Sequence, residues 1–259
     1  SEAAANFSEV SWHSERLAAF DVETTGTDTE NDRIVTAAIS VVGGGEESIA
    51  TNWLVDPGIE IPAEATSVHG ITTERARSEG LPADQAIFEI TEHLAELNSQ
   101  RIPIIAFNAR FDLTILDREA RRYEQETLTD LLGGEEHLLV IDPYVLDKQY
   151  NRFRKGRRTL SILCEAYGIA LDEAHAADAD ALAAARLAWR LGNVVPELGA
   201  YELNDLHAAQ VIWAMEQAQS LQEYFTSQGR TERIEGQWPV VPFGASVDPI
   251  RSVAQSEAA

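Results

Sequence analysis

The stretch Leu17-Ala-Ala-Phe-Asp-Val-Glu-Thr-Thr-Gly26 decides the fold. Apolar residues run up to two acids, and the polar Thr-Thr-Gly then breaks the pattern, which predicts a strand over 17–23. Asp21 and Glu23 are separated by one residue, so both side chains point to the same face of that strand. The sequence therefore predicts a core strand with a pair of carboxylates at its end.

Two carboxylates on one strand face repel each other, and their burial is costly unless a cation lies between them. Hard oxygen ligands of this kind suit Mg²⁺ or Mn²⁺ better than zinc. The alternative interpretation is a solvent-facing acidic strand end, which is common in a chain this acidic. The pair alone leaves both interpretations open.

The remaining pattern predicts the other elements of an α/β fold. Strands are predicted at 34–42 and 48–55 around a triple-glycine turn, followed by a polar loop that includes His69 and Gly70, and then by short apolar strands at 102–107 and 138–142. Helices are predicted from Pro82 to about 97, at 109–123, after 142, and at 159–167, 176–191 and 204–226. A meander followed by alternating strands and helices indicates a mixed five-stranded sheet flanked by helices.

The same pattern divides the chain into four parts. We expect an N-terminal tail at 1–14, a main domain at 15–193, a helical C-terminal extension at 194–245 and a disordered tail at 246–259. The apolar stripe of the last helix either packs on its own domain or docks a partner protein.

The composition is that of a soluble globular protein, with 259 residues, 44% of them hydrophobic and 24% charged. No apolar run approaches the length of a membrane helix, and the first residues lack the features of a secretory signal. Cys164 is the single cysteine, which excludes an internal disulfide and fits a reducing compartment. We therefore expect a cytoplasmic protein without a membrane partner.

The charge distribution bears on the partner. The formal net charge is −23, which argues against a nucleic-acid partner because such proteins usually carry a basic surface. One segment is an exception, since six of the 20 basic residues lie between positions 148 and 158 with no acid among them: Lys148, Arg152, Arg154, Lys155, Arg157 and Arg158. This segment is either a solvated surface or a local guide for a polyanion.

Other polar residues are ambiguous when taken singly. Asp112 lies early in a predicted helix, where the helix dipole alone explains an acid. Asp180 begins an apolar helical stripe, but Asp178 lies two residues earlier, and the pattern does not choose between them. His175 at the start of that helix is a surface histidine or a general base, and His69 is a structural or substrate-contacting loop residue.

Three segments together resemble the exonuclease motifs of the DEDDh (DnaQ-like) superfamily of 3′–5′ exonucleases. They are Phe20-Asp-Val-Glu-Thr-Thr-Gly26, Asn108-Ala-Arg-Phe-Asp112 and His175-Ala-Ala-Asp-Ala-Asp180, and the resemblance covers about residues 15–192. The superfamily includes the proofreading subunit of bacterial replicative polymerases and RNase T. Phe107 departs from the histidine that often stands before the second motif.

The resemblance implies an RNase H-like fold and two divalent ions, Mg²⁺ or Mn²⁺. It implies metal binding by Asp21, Glu23, Asp112 and Asp180, and it selects Asp180 over Asp178. His175 matches the general base. Thr24 and Thr25 match the segment that packs against the terminal nucleotide, and Asn108 matches a polar residue beside the site. His69-Gly-Ile resembles the family's His-Gly-Ile loop. Arg154, Arg157 and Arg158 are our candidates for guiding the strand.

We therefore expect hydrolysis of terminal phosphodiesters of single-stranded DNA, with release of nucleoside monophosphates. RNA trimming by the same site is one alternative, because no short motif reports the sugar. A catalytically idle module that binds nucleic acid or protein is the other. Any proofreading or repair role would need a polymerase or repair partner.

Overall fold

The computed structural model describes residues 11–171 and 174–244. Within them six strands form one mixed sheet: β1 (Arg16–Thr24), β2 (Ile34–Gly43), β3 (Ile49–Asp56), β4 (Leu81–Pro82), β5 (Ile104–Ile105) and β6 (Val140–Ile141). Their order is β4-β3-β2-β1-β5-β6, with β1, β2 and β3 antiparallel and the other pairs parallel. The predicted α/β class with a mixed sheet is confirmed.

The described residues also contain ten α-helices: α1 (Ala63–His69), α2 (Thr73–Glu79), α3 (Ala83–Ser99), α4 (Ala109–Arg122), α5 (Leu128–Leu132), α6 (Pro143–Tyr150), α7 (Leu160–Tyr167), α8 (Ala177–Val194), α9 (Pro196–Gly199) and α10 (Leu203–Ser227). Single 3₁₀ turns lie at Trp12–Ser14 and Glu135–His137. No helix among the described residues is long and apolar enough to cross a membrane.

Two details of the predicted fold are wrong. The sheet has six strands rather than five, because β4 pairs in parallel with Val55 and Asp56 just before α3 begins. The polar loop that we predicted around His69 contains α1, and His69 is its last residue before the left-handed Gly70 (φ 78°). Short polar helices of this kind lack the long apolar stripe on which periodicity analysis depends.

Successive side chains of β1 point alternately to the two faces of the sheet. Leu17 and Ala19 pack under α8, where small side chains such as Ala181 let the helix approach closely. Phe20 and Val22 point to the opposite face and join the core under α3 and α4. Asp21 and Glu23 continue the first series. The face that carries both acids is therefore the face that α8 covers.

The two ends of the chain were expected to lie outside the main domain. Residues 1–10 and the predicted disordered tail at 246–259 fall outside the described residues. Trp12, in the expected N-terminal tail, is buried, and its indole nitrogen donates a hydrogen bond to the Leu198 carbonyl at 2.9 Å. Trp12 is thus packed against the domain.

The C-terminal extension covers the outer edge of β6. His207 Nδ1 accepts a hydrogen bond from the Val140 amide at 3.0 Å, and the Gln210 amide group donates to the Val140 carbonyl at 2.9 Å. Gln210 Oε1 also accepts from the Asp142 amide at 2.7 Å. Side chains of α10 thus take the backbone hydrogen bonds that a further strand would otherwise make.

His207 makes stability sensitive to acid. Burial lowers the pKa of His207 to about 4, below the ordinary 6.5. Between these values the unfolded chain takes up a proton that the folded chain refuses, so the contribution of His207 to the free energy of unfolding should fall as pH drops from 6.5 towards 4, by at most about 3 kcal/mol. Urea unfolding across this range should show wild type losing stability relative to His207→Gln, which accepts the same bond without titrating. Equal slopes for both proteins would contradict the assignment.

Candidate metal centre

The structure brings three of the predicted metal-binding acids together. Asp21 and Glu23 at the end of β1 and Asp180 in the first turn of α8 each offer a carboxylate oxygen, and these atoms lie within 4.8 Å of one another. Oxygen ligands on opposite sides of one Mg²⁺ are about 4 Å apart, since each metal–oxygen bond is 2.0–2.1 Å long. The three acids therefore form a cluster that a divalent cation fits with small movements.

The state of these carboxylates supports that fit. Asp21 Oδ2 is buried without a hydrogen-bond partner, which is costly for a carboxylate oxygen. Burial, with the charges of Asp112, Glu23 and Asp180 adding to it, raises the pKa of Asp21 well above its usual range. Burial and the neighbouring Asp180 likewise raise the pKa of Glu23 to about 8. A bound cation would relieve both the burial cost and the repulsion.

Asp112, the fourth predicted ligand, reaches the same strand from α4. Its side chain is 4% exposed, and Oδ1 accepts a hydrogen bond from the Val22 amide at 3.1 Å. Burial raises the pKa of Asp112 well above its usual value, and its charge in turn contributes to the raised pKa of Asp21. Asp112 therefore lies beside the strand that carries Asp21 and close enough to affect its ionisation, while the role of Asp112 as a ligand stays a prediction.

Metal binding should release protons. At pH 7 a Glu23 with a pKa of about 8 is mostly protonated in the metal-free protein, whereas a ligand carboxylate is ionised. We expect Mn²⁺ titration at pH 7 to release on the order of one proton or more, and the apparent affinity to increase towards pH 9. Calorimetry in buffers of different ionisation enthalpy measures this number. A binding enthalpy that is the same in every buffer would argue against it.

His175 adopts a left-handed backbone conformation (φ 71°) immediately before α8. Its backbone amide faces both Asp180 oxygens, at 3.2 and 3.4 Å, while its side chain is exposed. The positive φ is uncommon for a residue other than glycine, and it turns the chain so that the amide meets the carboxylate. Asp178 is exposed two residues before the half-buried Asp180. The role of His175 as general base stays a prediction.

The residues that follow β1 form a tightly bonded turn. Thr24 Oγ1 donates to the Gly26 carbonyl at 2.6 Å, and the buried Thr25 hydroxyl donates to Asp32 at 2.8 Å. His69 Nδ1 accepts from the Ile71 amide, which leaves the proton on Nε2 to donate to the Thr24 carbonyl at 3.2 Å. His69 thereby fixes the end of the strand that carries the acids. Contact of these side chains with a terminal nucleotide stays a prediction.

Asp142 is a buried carboxylate whose role the sequence did not reveal. It follows β6 and accepts hydrogen bonds from the amides of Asn108, Ala109 and Tyr144, at 2.9 to 3.0 Å. The indole of Trp238 donates to it at 3.2 Å. Asp142 thus fixes the start of α4, the helix that carries Asp112. The one signal in the sequence is an Asp-Pro pair after an apolar strand, which is typical of a helix N-terminus.

The basic segment is anchored by a second buried acid. Asp147 is fully buried in α6 and accepts hydrogen bonds from Arg154 (2.8 and 3.0 Å), Arg158 (2.9 Å) and the Tyr167 hydroxyl (2.7 Å). Arg154 and Arg158 are therefore paired inside the protein, and the substrate contact that we expected of them stays a prediction. The substrate contact expected of the exposed Arg157 stays a prediction.

Among known proteins, the chain is similar to a short part of long DNA polymerases. It is 28% identical over 187 residues to a DNA polymerase III PolC-type of Listeria innocua, covering 72% of this chain and 12% of that protein. It is 30% identical over 169 residues to the same protein of Streptococcus suis, covering 65% of this chain and 10% of that one. The chain thus spans about a tenth of the length of these curated relatives.

Solved structures give the same fold. Escherichia coli exonuclease I in complex with a dA16 oligonucleotide superposes with a TM-score of 0.58 at 20% identity, over 74% of this chain and 42% of that one. The zinc-bound form of the same enzyme with single-stranded DNA also gives 0.58, at 21% identity over 70% and 41% of the two chains. The RNase H-like class implied by the motifs is confirmed by this agreement.

The sequence profile of the exonuclease family, the RNase T family, matches residues 18–188. This span contains all three motifs and the four acids described above. The match confirms the resemblance to DEDDh (DnaQ-like) exonucleases. The chain belongs to the exonuclease family.

Proposed function

We propose that this protein removes nucleotides from the 3′ ends of nucleic acids by hydrolysing the terminal phosphodiester. One observation carries the proposal: the carboxylates of Asp21, Glu23 and Asp180 converge, and one buried Asp21 oxygen lacks a hydrogen-bond partner. A cluster this repulsive has a physical purpose if it holds cations that in turn hold a phosphate.

We assign the ligands of two divalent ions to four residues: Asp21, Glu23, Asp112 and Asp180. Such ions, when bound, neutralise charge on the phosphate and make water a stronger nucleophile near neutral pH. The chain's own residues hold the phosphate in line with the attacking water and accept the proton that the water loses. We assign the role of proton acceptor to the exposed imidazole of His175. Hard carboxylate ligands favour Mg²⁺ or Mn²⁺.

Single-stranded DNA is the substrate that we favour. A terminal base has to enter the site unpaired, and a single strand enters without the cost of fraying a duplex. The fold is shared with Escherichia coli exonuclease I, which has been solved in complex with a dA16 oligonucleotide. RNA of the same length is the alternative, which the experiment below distinguishes.

The cellular setting follows the relatives. The matched region of the PolC-type relatives is part of a DNA polymerase, and we infer that this chain acts either on its own in repair or turnover or as the proofreading partner of a polymerase. We place it in the cytoplasm, where a lone buried Cys164 would stay reduced.

The test is degradation of a 5′-labelled single-stranded DNA with Mg²⁺ or Mn²⁺, beside an RNA of the same sequence. A ladder that shortens from the 3′ end and disappears with EDTA is the expected result. RNA degraded faster than DNA would make the protein an RNA-trimming enzyme. No cleavage of either substrate by folded, metal-loaded protein would reject the proposal in favour of a binding module. His175→Gln should retain metal binding and lose most of the rate.

A further inference from the structure

Phe153 is the most exposed large apolar side chain in the described part of the chain, at 89% exposure. It lies in the turn after α6, within residues 151–158, which we call the Phe153 loop. Arg152 and Lys155 on either side of it are also exposed. An exposed aromatic ring with exposed cations on either side is the combination of side chains that binds single-stranded nucleic acid, the ring by stacking and the cations by charge.

The Phe153 loop is held rigidly from below. Asp147 binds Arg154 and Arg158, and the second terminal nitrogen of Arg158 donates to the Asn151 carbonyl at 2.8 Å. The Arg154 guanidinium lies over the Tyr167 ring, 5.3 Å from its centre. Arg154 and Arg158 therefore hold the loop in place from inside the protein. Phe153 lies on a turn that is already ordered in the folded protein, so binding loses less conformational entropy there.

The Phe153 loop is next to the helix that packs beside the metal centre. It leads directly into α7, which packs against α8, the helix of Asp180. Cys164 of α7 lies near enough to Asp180 for that charge to add to burial in raising the pKa of the thiol to about 11. The loop and the acids are thus carried by two neighbouring helices.

We infer that the Phe153 loop binds single-stranded nucleic acid upstream of the terminal nucleotide, with the Phe153 ring stacked on a base and Arg152 and Lys155 near phosphates. This inference rests on the proposed function and adds a substrate contact to it. Every base has a flat face, so stacking suits an enzyme that shortens strands of any sequence. Even with Asp147 binding two of its six cations, the stretch from 148 to 158 stays a basic exception in a chain of net charge −23, so a polyanion is accepted there while most of the surface repels it.

The test compares Phe153→Ala with wild type on oligothymidylates of increasing length in Mg²⁺. We expect KM to rise about 5- to 100-fold for strands that reach the loop, with kcat unchanged. Hydrolysis of p-nitrophenyl thymidine 5′-monophosphate, which has no upstream base, should be unaffected. Phe153→Trp should restore KM. Phe88→Ala, which removes a 51% exposed phenylalanine from α3, is the matched control and should leave KM unchanged.

Equal KM for Phe153→Ala and wild type at every length would overturn the inference while leaving the proposed function intact. If wild type cleaves nothing, the proposed function fails first. Fluorescence anisotropy of a labelled oligothymidylate in Ca²⁺ then still tests the loop, because the affinity should fall in Phe153→Ala and stay unchanged in Phe88→Ala. Equal affinity in all three proteins would reject the loop as a nucleic-acid contact.

Discussion

Replacing Asp21 by asparagine is expected to lower the exonuclease rate by on the order of 10³-fold or more, while the metal-free protein keeps or gains stability. Asp21 contributes an oxygen to the three-carboxylate cluster, and it also lies beside Asp112. Its pKa is raised well above the usual range by burial and by three neighbouring acids, so the ionised form opposes folding. Asparagine removes that charge and also removes the metal ligand.

The matched control is Asp178→Asn, which neutralises an exposed carboxylate in the first turn of α8, two residues before Asp180. It should leave activity and Mn²⁺ affinity unchanged. The measurements are the rate of ladder formation, Mn²⁺ titration, and urea unfolding at pH 8 with EDTA. A clear loss of stability in Asp21→Asn without metal would mean that the carboxylate stabilises the fold directly. Full activity in Asp21→Asn would reject the metal centre.

Replacing Trp238 by phenylalanine should damage catalysis from outside the acid cluster. The indole is 5% exposed and donates to Asp142, which in turn holds the amides at the start of α4. Loss of a hydrogen bond to a buried carboxylate costs about 1.5–3 kcal/mol of stability. Because α4 carries Asp112, we expect kcat to fall about 10- to 100-fold, as for partners that orient metal ligands.

Trp189→Phe makes the same substitution at an indole that is 46% exposed on α8 and should change neither stability nor rate. The combination that identifies a positioning role is a fall in kcat and in Mn²⁺ affinity with KM nearly constant, measured on protein that unfolds cooperatively. If Trp238→Phe only lowers the unfolding midpoint and leaves kcat unchanged, Trp238 serves packing alone.

The sequence predicted the part of the site that depends on local pattern. The alternation in β1 predicted that Asp21 and Glu23 share a face, and the fold bears this out. The apolar stripe of the helix did not indicate whether Asp178 or Asp180 is the ligand. The motif spacing selected Asp180, and the structure brings Asp180 to the other two acids while leaving Asp178 exposed. The roles of Asp21, Glu23 and Asp180 as metal ligands, and of His175 as general base, stay predictions.

What the sequence could not predict are partners far apart along the chain. Asp142 and Trp238 are 96 residues apart, and nothing in the local pattern of either indicates the other. The row of cations predicted a substrate contact for Arg154 and Arg158, which stays a prediction, and it did not indicate that the buried Asp147 binds both. Tertiary pairing of charges is decided by which side chains the fold buries together.

The side-chain cover on β6 has a consequence for any shortened form of this protein. His207 and Gln210 occupy backbone groups of Val140 and Asp142 that would otherwise present an open sheet edge. A chain cut before Leu203 would expose that edge, and an exposed edge recruits strands from other copies. Self-association would then accompany loss of the last helix, so the extension also serves to keep each copy separate from its neighbours.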